Sequence, residues 1–212
     1  MSRLPLVREG YPLIGVTAAV TVVLFVLGLS WPAWIALLLT AFTVNFFRDP
    51  ERVGPTDPRL ILSPADGKVI KIAAIRDDRF LNGDATLVSI FMSPLNVHVN
   101  RIPASGRVVD IRYNKGKYFR AFADKASLDN EQNAVILEDG QGRRLCFVQI
   151  AGFLARRIVC SLQTGMSVER GQRYGMIKFG SRADIYLPPA ARLRVKVGDR
   201  AYGGTSVIGE WP

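Results

Sequence analysis

Two short segments of this chain carry the side chains best suited to acid-base chemistry, and each also has a structural interpretation. His98, the only histidine, lies in FMSPLNVHVNRIPASG at residues 91–106. Its unperturbed pKa near neutrality suits a proton carrier, although a single histidine on an apolar strand is often structural. Asp66 lies in LSPADGKV at residues 62–69, where Pro-Ala-Asp-Gly is also a good type I turn sequence. Neither residue alone identifies an enzyme.

A third segment, YGMIKFGSRADIYLP at residues 174–188, contains a Gly-Ser bond that could cleave itself. Gly180 would let the backbone bend until the Ser181 hydroxyl reaches the preceding carbonyl. A base would have to activate that hydroxyl, because free serine is a poor nucleophile. The structural alternative is a β-bulge or turn between two strands. A second glycine-hydroxyl run at residues 203–206 precedes a final strand and is typical of a hairpin turn.

Several other kinds of site are not supported by the sequence. The two cysteines, Cys146 and Cys160, form no CxxC and no Cys/His cluster, so neither a metal site nor a disulfide framework is expected. Both lie in apolar runs, which favours small buried hydrophobic residues in a reduced, cytosol-facing protein. No Walker A loop, GxGxxG or HExxH motif occurs. Ser167 lacks the second glycine of GxSxG, so an α/β-hydrolase is not indicated.

The first part of the chain is dominated by an apolar run. No charged residue occurs from Gly10 to Phe47, a stretch of 38 residues. Trp31-Pro32 divides the run into Leu13–Ser30, about long enough to span hydrocarbon, and Ala33–Phe47, which is marginal. A secretory signal peptide is disfavoured because the run is too long and no small-residue cleavage site follows it.

We therefore expect residues 1–47 to form a helical membrane-anchoring hairpin. The hairpin either spans the bilayer or dips into one leaflet, and basic residues flank both of its ends. The positive-inside rule then places residues 48–212 on the cytoplasmic side of the membrane. The predicted location is the cell's inner membrane, with residues 48–212 on its cytoplasmic face.

The net charge is +10, and this excess of basic residues calls for an anionic partner. The N-terminal segment has Arg3, Arg8 and Glu9, a net +1, which leaves +9 on residues 48–212. Beside a bilayer such a charge suits anionic headgroups. The basic residues are scattered, without a basic helix, a zinc finger or an RNA-binding aromatic pattern, so no nucleic-acid partner is expected.

From Arg48 onward the pattern changes to short β-branched runs separated by Gly, Pro and Asn, which favours antiparallel sheets. A minor helix is predicted at Phe119–Lys125. The fold class is therefore α+β, with a predominantly antiparallel β domain after the helical hairpin. The strands are predicted at Lys68–Ile75, Ala85–Met92, Asn96–Ile102, Arg107–Tyr113, Ala134–Glu138, Arg144–Ala151, Arg157–Leu162, Met176–Phe179, Ala183–Leu187 and Leu193–Val197.

Three of these segments together carry a family resemblance. SPADG, SPLNVHVNRIPASG, and FGS followed by R-x-D-x-Y-L-P resemble the phosphatidylserine decarboxylase family, most closely its short bacterial and archaeal-type branch. The resemblance covers roughly residues 48–212, and the hydrophobic hairpin is similar in kind to that family's anchors. It implies self-cleavage between Gly180 and Ser181, rather than in the 203–206 run, into a large chain 1–180 and a small chain 181–212.

The resemblance also implies the chemistry. Ser181 would become a covalent pyruvoyl group that forms a Schiff base with the substrate amine, so that phosphatidylserine loses carbon dioxide and becomes phosphatidylethanolamine. His98 would be the proton carrier and Asp66 would orient or stabilise its imidazolium. We expect His98 to lie within reach of both Ser181 and Asp66. The implied partners are the anionic membrane, the lipid substrate and the two chains of the precursor; a homodimer is left open.

One position departs from the family pattern. Longer members carry H-x-x-H in this motif, and here the second histidine is replaced by Arg101, which cannot act as a base at neutral pH. His98 therefore either serves both self-cleavage and protonation or shares these steps with another group. The alternatives are a decarboxylase of another serine-headgroup lipid, such as archaetidylserine, and a non-catalytic β-rich membrane adaptor that stays uncut.

Overall fold

The computed structural model describes residues 5–116, 130–152, 157–178 and 181–212. The helix predicted at Phe119–Lys125, and Gly180 of the predicted cleavage site, lie outside the described residues. The chain divides into two compact units, Met1–Glu51 and Arg52–Pro212.

The first unit contains two helices, α1 (Tyr11–Val26) and α2 (Ser30–Phe46), and a short 3-10 turn precedes α1. The break between the helices lies at Gly28, whose φ of +72° is the left-handed conformation that glycine adopts at helix ends. Placing the break at Trp31-Pro32 was wrong, because both residues lie in the first turn of α2. Proline is tolerated there, where its missing N–H would have no partner within the helix.

The two helices pack on each other and leave apolar side chains exposed. The hydroxyls of Thr21 and Thr40 lie 3.1 Å apart between them, while Val26 and Trp31 are each 80% exposed. Among the described helices, the stretch Arg8–Val26, which includes the 3-10 turn, is long and apolar enough to cross a bilayer by length and composition, whereas α2 is shorter.

The described residues of the second unit form fourteen strands, and every pairing between them is antiparallel. The predicted antiparallel β class is thereby confirmed. The strands are β1 (Leu60–Leu62), β2 (Gly67–Asp77), β3 (Gly83–Met92), β4 (Val99–Arg101), β5 (Gly106–Asn114), β6 (Gln132–Glu138), β7 (Arg144–Ala151), β8 (Arg157–Cys160), β9 (Ser167–Val168), β10 (Arg173–Lys178), β11 (Ser181–Leu187), β12 (Arg192–Leu193), β13 (Arg200–Ala201) and β14 (Val207–Glu210).

These strands form one large sheet and two small ones. The eight-stranded sheet has the order β13-β2-β3-β11-β7-β6-β5-β9, and the three-stranded sheets are β1-β14-β12 and β4-β10-β8. β11 therefore lies inside the large sheet, hydrogen-bonded to β3 on one side and β7 on the other. All seven of its residues are buried, which makes its start a rigid and dry position.

Side chains of β11 alternate between the two faces of the sheet. Ile185 belongs to the main apolar core, whereas Tyr186 packs in a second cluster on the other face. By this alternation Ser181 shares the face of Ile185. The predicted self-cleaving residue therefore points to the core side of the sheet.

The ten predicted strand segments each overlap an observed strand, although Phe179 of the segment Met176–Phe179 lies outside the described residues. Two segments were predicted too long: Asn96–Ile102 reduces to β4, and Leu193–Val197 shares only Leu193 with β12. Residues 93–96 form a turn held by Asn96, whose side-chain oxygen accepts from the Ser93 amide at 2.9 Å. That local hydrogen bond competes with the extended conformation.

Candidate active site

Ser181 is fully buried and is the first residue of β11. Its neighbours across the sheet are Met92 on β3 and Ala151 on β7. The hydroxyl Oγ donates to the Sδ atom of Met92 at 3.3 Å. A thioether is a weak acceptor and does not take up a proton at neutral pH. This contact therefore orients the hydroxyl without activating it.

His98 is also fully buried and lies between the Ser93–Asn96 turn and β4. Its ring Nδ1 is 2.9 Å from the carbonyl oxygen of Asn96. Because a carbonyl only accepts, Nδ1 carries the proton in this contact, and Nε2 is the nitrogen that can exchange protons. The contact thus fixes the orientation of the ring.

The segments that carry His98 and Ser181 meet at two points. The carbonyl of His98 accepts from the amide of Ile177 at 3.3 Å, and Met92 contacts Ser181. Ile177 is only four positions before Ser181, so the chain between them spans at most about 14 Å. The two motifs therefore occupy one region of the fold.

Asp66 is buried and makes three strong contacts. Its carboxylate accepts hydrogen bonds from both terminal nitrogens of Arg52, at 2.5 and 2.7 Å, and from the amide of Gly203 at 2.8 Å. Arg52 also donates to the carbonyl of Gly203 at 2.8 Å. A bidentate guanidinium with an added backbone donor satisfies the carboxylate well. Asp66 thus joins the segment before β1 to the end of the chain.

Hydrogen bonds do not link the three predicted residues directly. Within the described residues, Asp66 bonds to Arg52 and Gly203, and Ser181 to Met92. The expectation that His98 lies within reach of Ser181 and Asp66 stays a prediction. One small apolar cluster nevertheless unites the motifs, and its members are Ala65, Met92, Ala151, Ile177 and Ala183.

The run at residues 203–206 is a turn, as expected, but it does not form a hairpin. It joins β13 and β14, which belong to different sheets. A Cβ on Gly203 would lie 3.3 Å from backbone atoms of Ala65, and the amide of Gly204 donates to the carbonyl of Ser63 at 2.8 Å. The glycines therefore permit the close approach of this turn to the SPADG segment.

Arg101, at the position of the second family histidine, is buried. Its Nη1 donates to the carbonyl of Gly171 at 3.0 Å, and its amide donates to the carbonyl of Pro64 at 2.9 Å. Both hydrogen bonds connect Arg101 to other segments of the chain. The geometry fits an arginine that holds loops together and agrees with its inability to act as a base.

Sequence reasoning missed a buried amide network near Ser181. Gln149 donates to the side chain of Asn100 at 2.9 Å and accepts from Asn133 at 3.2 Å. Asn100 in turn approaches the Sδ atom of Met92 at 3.9 Å. Asn100 lies two residues after His98, and strand periodicity alone would place both on one face. The contact of Arg52 with Asp66 was missed as well, because in the sequence Arg52 is only a basic residue that flanks the apolar run.

The cysteines fit the interpretation made from the sequence. Burial raises the pKa of the Cys146 thiol well above its usual value, and burial likewise raises the pKa of half-buried Cys160. Such thiols are poor nucleophiles at neutral pH. Among the described residues there is no cluster of histidine, cysteine and acidic side chains that could hold a metal ion.

Comparison with known proteins identifies the family. The family model for phosphatidylserine decarboxylase matches residues 39–209. The chain belongs to this family. The phosphatidylserine decarboxylase proenzyme of Syntrophotalea carbinolica is 48% identical over 205 residues, covering 97% of this chain and 96% of its own. The proenzyme of Ralstonia nicotianae is 46% identical over 206 residues, covering 96% and 94%.

Family membership bears out the resemblance drawn from three short motifs. The relative from Solidesulfovibrio magneticus, also named a phosphatidylserine decarboxylase proenzyme, is 48% identical over 206 residues. The matched range includes Asp66, His98 and Ser181. The individual roles of these three residues stay predictions.

Proposed function

We propose that this chain is a membrane-anchored, pyruvoyl-dependent decarboxylase that converts phosphatidylserine to phosphatidylethanolamine and carbon dioxide in phospholipid biosynthesis. The observation that carries the proposal is the identity of 46–48%, over nearly the whole chain, to relatives named phosphatidylserine decarboxylase proenzymes. The word proenzyme supports maturation of the chain by processing.

Maturation begins at Ser181. Its hydroxyl attacks the carbonyl of Gly180, and the acyl group moves from nitrogen to oxygen to give an ester. Elimination then leaves Gly180 with a free carboxylate that keeps the serine oxygen. Hydrolysis of the resulting enamine releases ammonia and leaves a pyruvoyl group on the nitrogen of Arg182. The products are chain 1–180 and a 32-residue chain, 181–212.

The surroundings of Ser181 fit a pyruvoyl group. The serine Cβ becomes a methyl, and the side chains that flank it across the sheet are those of Met92 and Ala151, both apolar and buried. Once formed, the group supplies an electron sink for the pair released when carbon dioxide leaves the bound substrate.

The buried side chains have separate tasks in this proposal. The Nε2 atom of His98 delivers the proton that replaces the lost carboxyl group, while its Nδ1 stays bonded to Asn96. Asp66, through Arg52 and Gly203, holds the small chain against the large one after cleavage. The burial of His98 and Asp66 excludes water, which would otherwise compete as a proton donor.

Intact-mass spectrometry and a lipid assay test the proposal. The full-length protein, purified in detergent and mixed with phosphatidylserine vesicles, should release carbon dioxide and form phosphatidylethanolamine. The same sample should give two masses that match chains 1–180 and 181–212, the latter with a pyruvoyl end. An uncut and inactive single chain would favour the membrane-adaptor alternative.

We propose that the helical unit, residues 1–47, is the membrane anchor. The catalytic domain, residues 48–212, is proposed to lie on the cytoplasmic face of the inner membrane. The exposed apolar side chains of α1 and α2 and the length of Arg8–Val26 support this assignment. The backbone of Val7 donates to Phe47 at 2.9 Å, so both ends of the hairpin lie at the same end of this unit.

We expect the full-length protein to stay in the membrane fraction through a high-salt wash. Salt screens charge but does not weaken the burial of hydrocarbon. Immunoblotting of the pellet and supernatant measures this retention. Deletion of residues 1–47 is the control and should move most of the protein to the supernatant with self-cleavage intact. Release of the full-length chain by salt alone would contradict insertion.

A further inference from the structure

The strand that begins with Ser181 carries a buried ion pair for which the proposed chemistry has no use. Arg182 and Asp184 are two residues apart, and their side chains are 2% and 0% exposed. The Nε atom of Arg182 lies 2.8 Å from Oδ1 of Asp184, and Nη2 donates to Oδ2 at 2.9 Å. The guanidinium therefore contacts both carboxylate oxygens.

Stability alone is a poor reason to keep this pair. Removing two charges from water is costly, and buried ion pairs can often be replaced by apolar residues without loss of stability. Three of the four cross-strand neighbours of the pair are apolar: Phe91 and Ile150 flank Arg182, and Val148 flanks Asp184 opposite Ser89. The exposed pair Arg194–Glu210 in the same C-terminal segment is an ordinary surface contact by comparison.

The location of the pair suggests a task that only a cleaved chain needs. Its side chains lie on the face opposite that of Ser181, because strand side chains alternate. When the bond before Ser181 is cut, residue 181 becomes a chain end, and ends are poorly ordered unless they are tied down. The reactive group is attached directly to the backbone nitrogen of Arg182. Any movement of Arg182 therefore moves the reactive carbon.

We propose that Arg182 and Asp184 are a positioning pair that keeps the new chain end of β11 in its extended conformation after cleavage. The planar guanidinium fork of Arg182 lies against the carboxylate two residues further along the same strand, with Nη2 hydrogen-bonded to Oδ2. With Arg182 fixed, the pyruvoyl carbon stays where the substrate amine must meet it. The proposal rests on the proposed function and adds two residues whose side chains lie on the sheet face opposite the reacting group.

The test replaces both charges at once, with Arg182→Leu/Asp184→Leu, so that no unpaired charge is left buried. We expect this double variant to fold and self-cleave. Its kcat per pyruvoyl, with the group counted by hydrazine titration, should fall about 10- to 100-fold, the loss that a small misplacement can cause. KM should stay within about twofold, because the side chains of the pair lie on the sheet face opposite the reacting group. Amide hydrogen exchange at the start of the small chain should be faster than in the wild type.

Two further variants complete the test. The matched control, Arg194→Leu/Glu210→Leu, removes the exposed pair of the same segment and should keep kcat within about twofold. If the double leucine variant does not fold, Arg182→Lys keeps the charge without the fork and should show the same fall in kcat. Wild-type kcat per pyruvoyl in a folded variant of the pair would overturn the proposal. An uncut wild-type protein would instead overturn the proposed function, so the two failures are distinguishable.

Discussion

A Ser181→Ala variant is expected to remain one uncut chain of 212 residues without decarboxylase activity. Alanine has no hydroxyl to attack the preceding carbonyl, so neither the ester nor the pyruvoyl group can form. The loss should be complete, because no other residue of the proposal supplies the electron sink. A denaturing gel shows the uncut chain, and release of carbon dioxide from phosphatidylserine vesicles measures the activity.

The matched control for this variant is Ser206→Ala in the other glycine-hydroxyl run. The Oγ atom of Ser206 accepts from the amide of Tyr202 at 2.9 Å, which is a local turn contact. We expect this control to self-cleave and to produce phosphatidylethanolamine. An active, uncut Ser181→Ala protein would refute the assignment of the cleavage site, and so would a wild-type cut at Gly204.

A His98→Ala variant is expected to self-cleave and then to fail in decarboxylation by about 10²–10⁴-fold, the usual contribution of general acid-base catalysis. Two observations motivate this division of steps. Within the part of the chain that the structure describes, Ser181 is hydrogen-bonded to Met92 and not to the imidazole, and Asp66 is bonded to Arg52 and Gly203. The gel measures cleavage, and turnover per pyruvoyl measures the second step.

His98→Gln is the companion variant, because it keeps a polar side chain in this buried position and cannot titrate. A loss of decarboxylase turnover in both variants, with the fold intact by circular dichroism, would assign the effect to proton transfer and not to packing. If neither variant self-cleaves, His98 is the processing base and acts in both steps. Normal cleavage and normal turnover in both would leave His98 structural and the proposed mechanism wrong.

Much of the fold follows from local patterns. The strands around β2, β3, β5, β6 and β7 were predictable because each is an alternating or wholly apolar run bounded by turn residues. The break between the helices was predicted at Trp31-Pro32, but it lies at Gly28. Proline in the first turn of a helix does not interrupt that helix. β1, β9 and β13, at two or three residues each, were not predicted, since such short strands exist only through their pairing partners.

The residues of the candidate site were proposed from the sequence and stay predictions, whereas their contacts could not be proposed from it. Ser181, His98 and Asp66 belong to motifs that can be read from order and spacing. The partner of Asp66 could not be read in this way. Gly203 lies 137 positions away along the chain, and no local rule links the two. The buried amide network around Asn100 depends in the same way on residues from separate strands.

The sequence by itself determined the family and the antiparallel β class, and it predicted the Gly180-Ser181 bond as the point of chemistry. These depend on short motifs and on periodicity, which are properties of neighbours along the chain. Only the tertiary structure decided what each reactive group touches: Met92 beneath the Ser181 hydroxyl, Arg52 against Asp66, and a buried ion pair behind the new chain end. Such contacts form when distant strands are brought together to bury apolar surface, so their geometry is a property of the packed sheet.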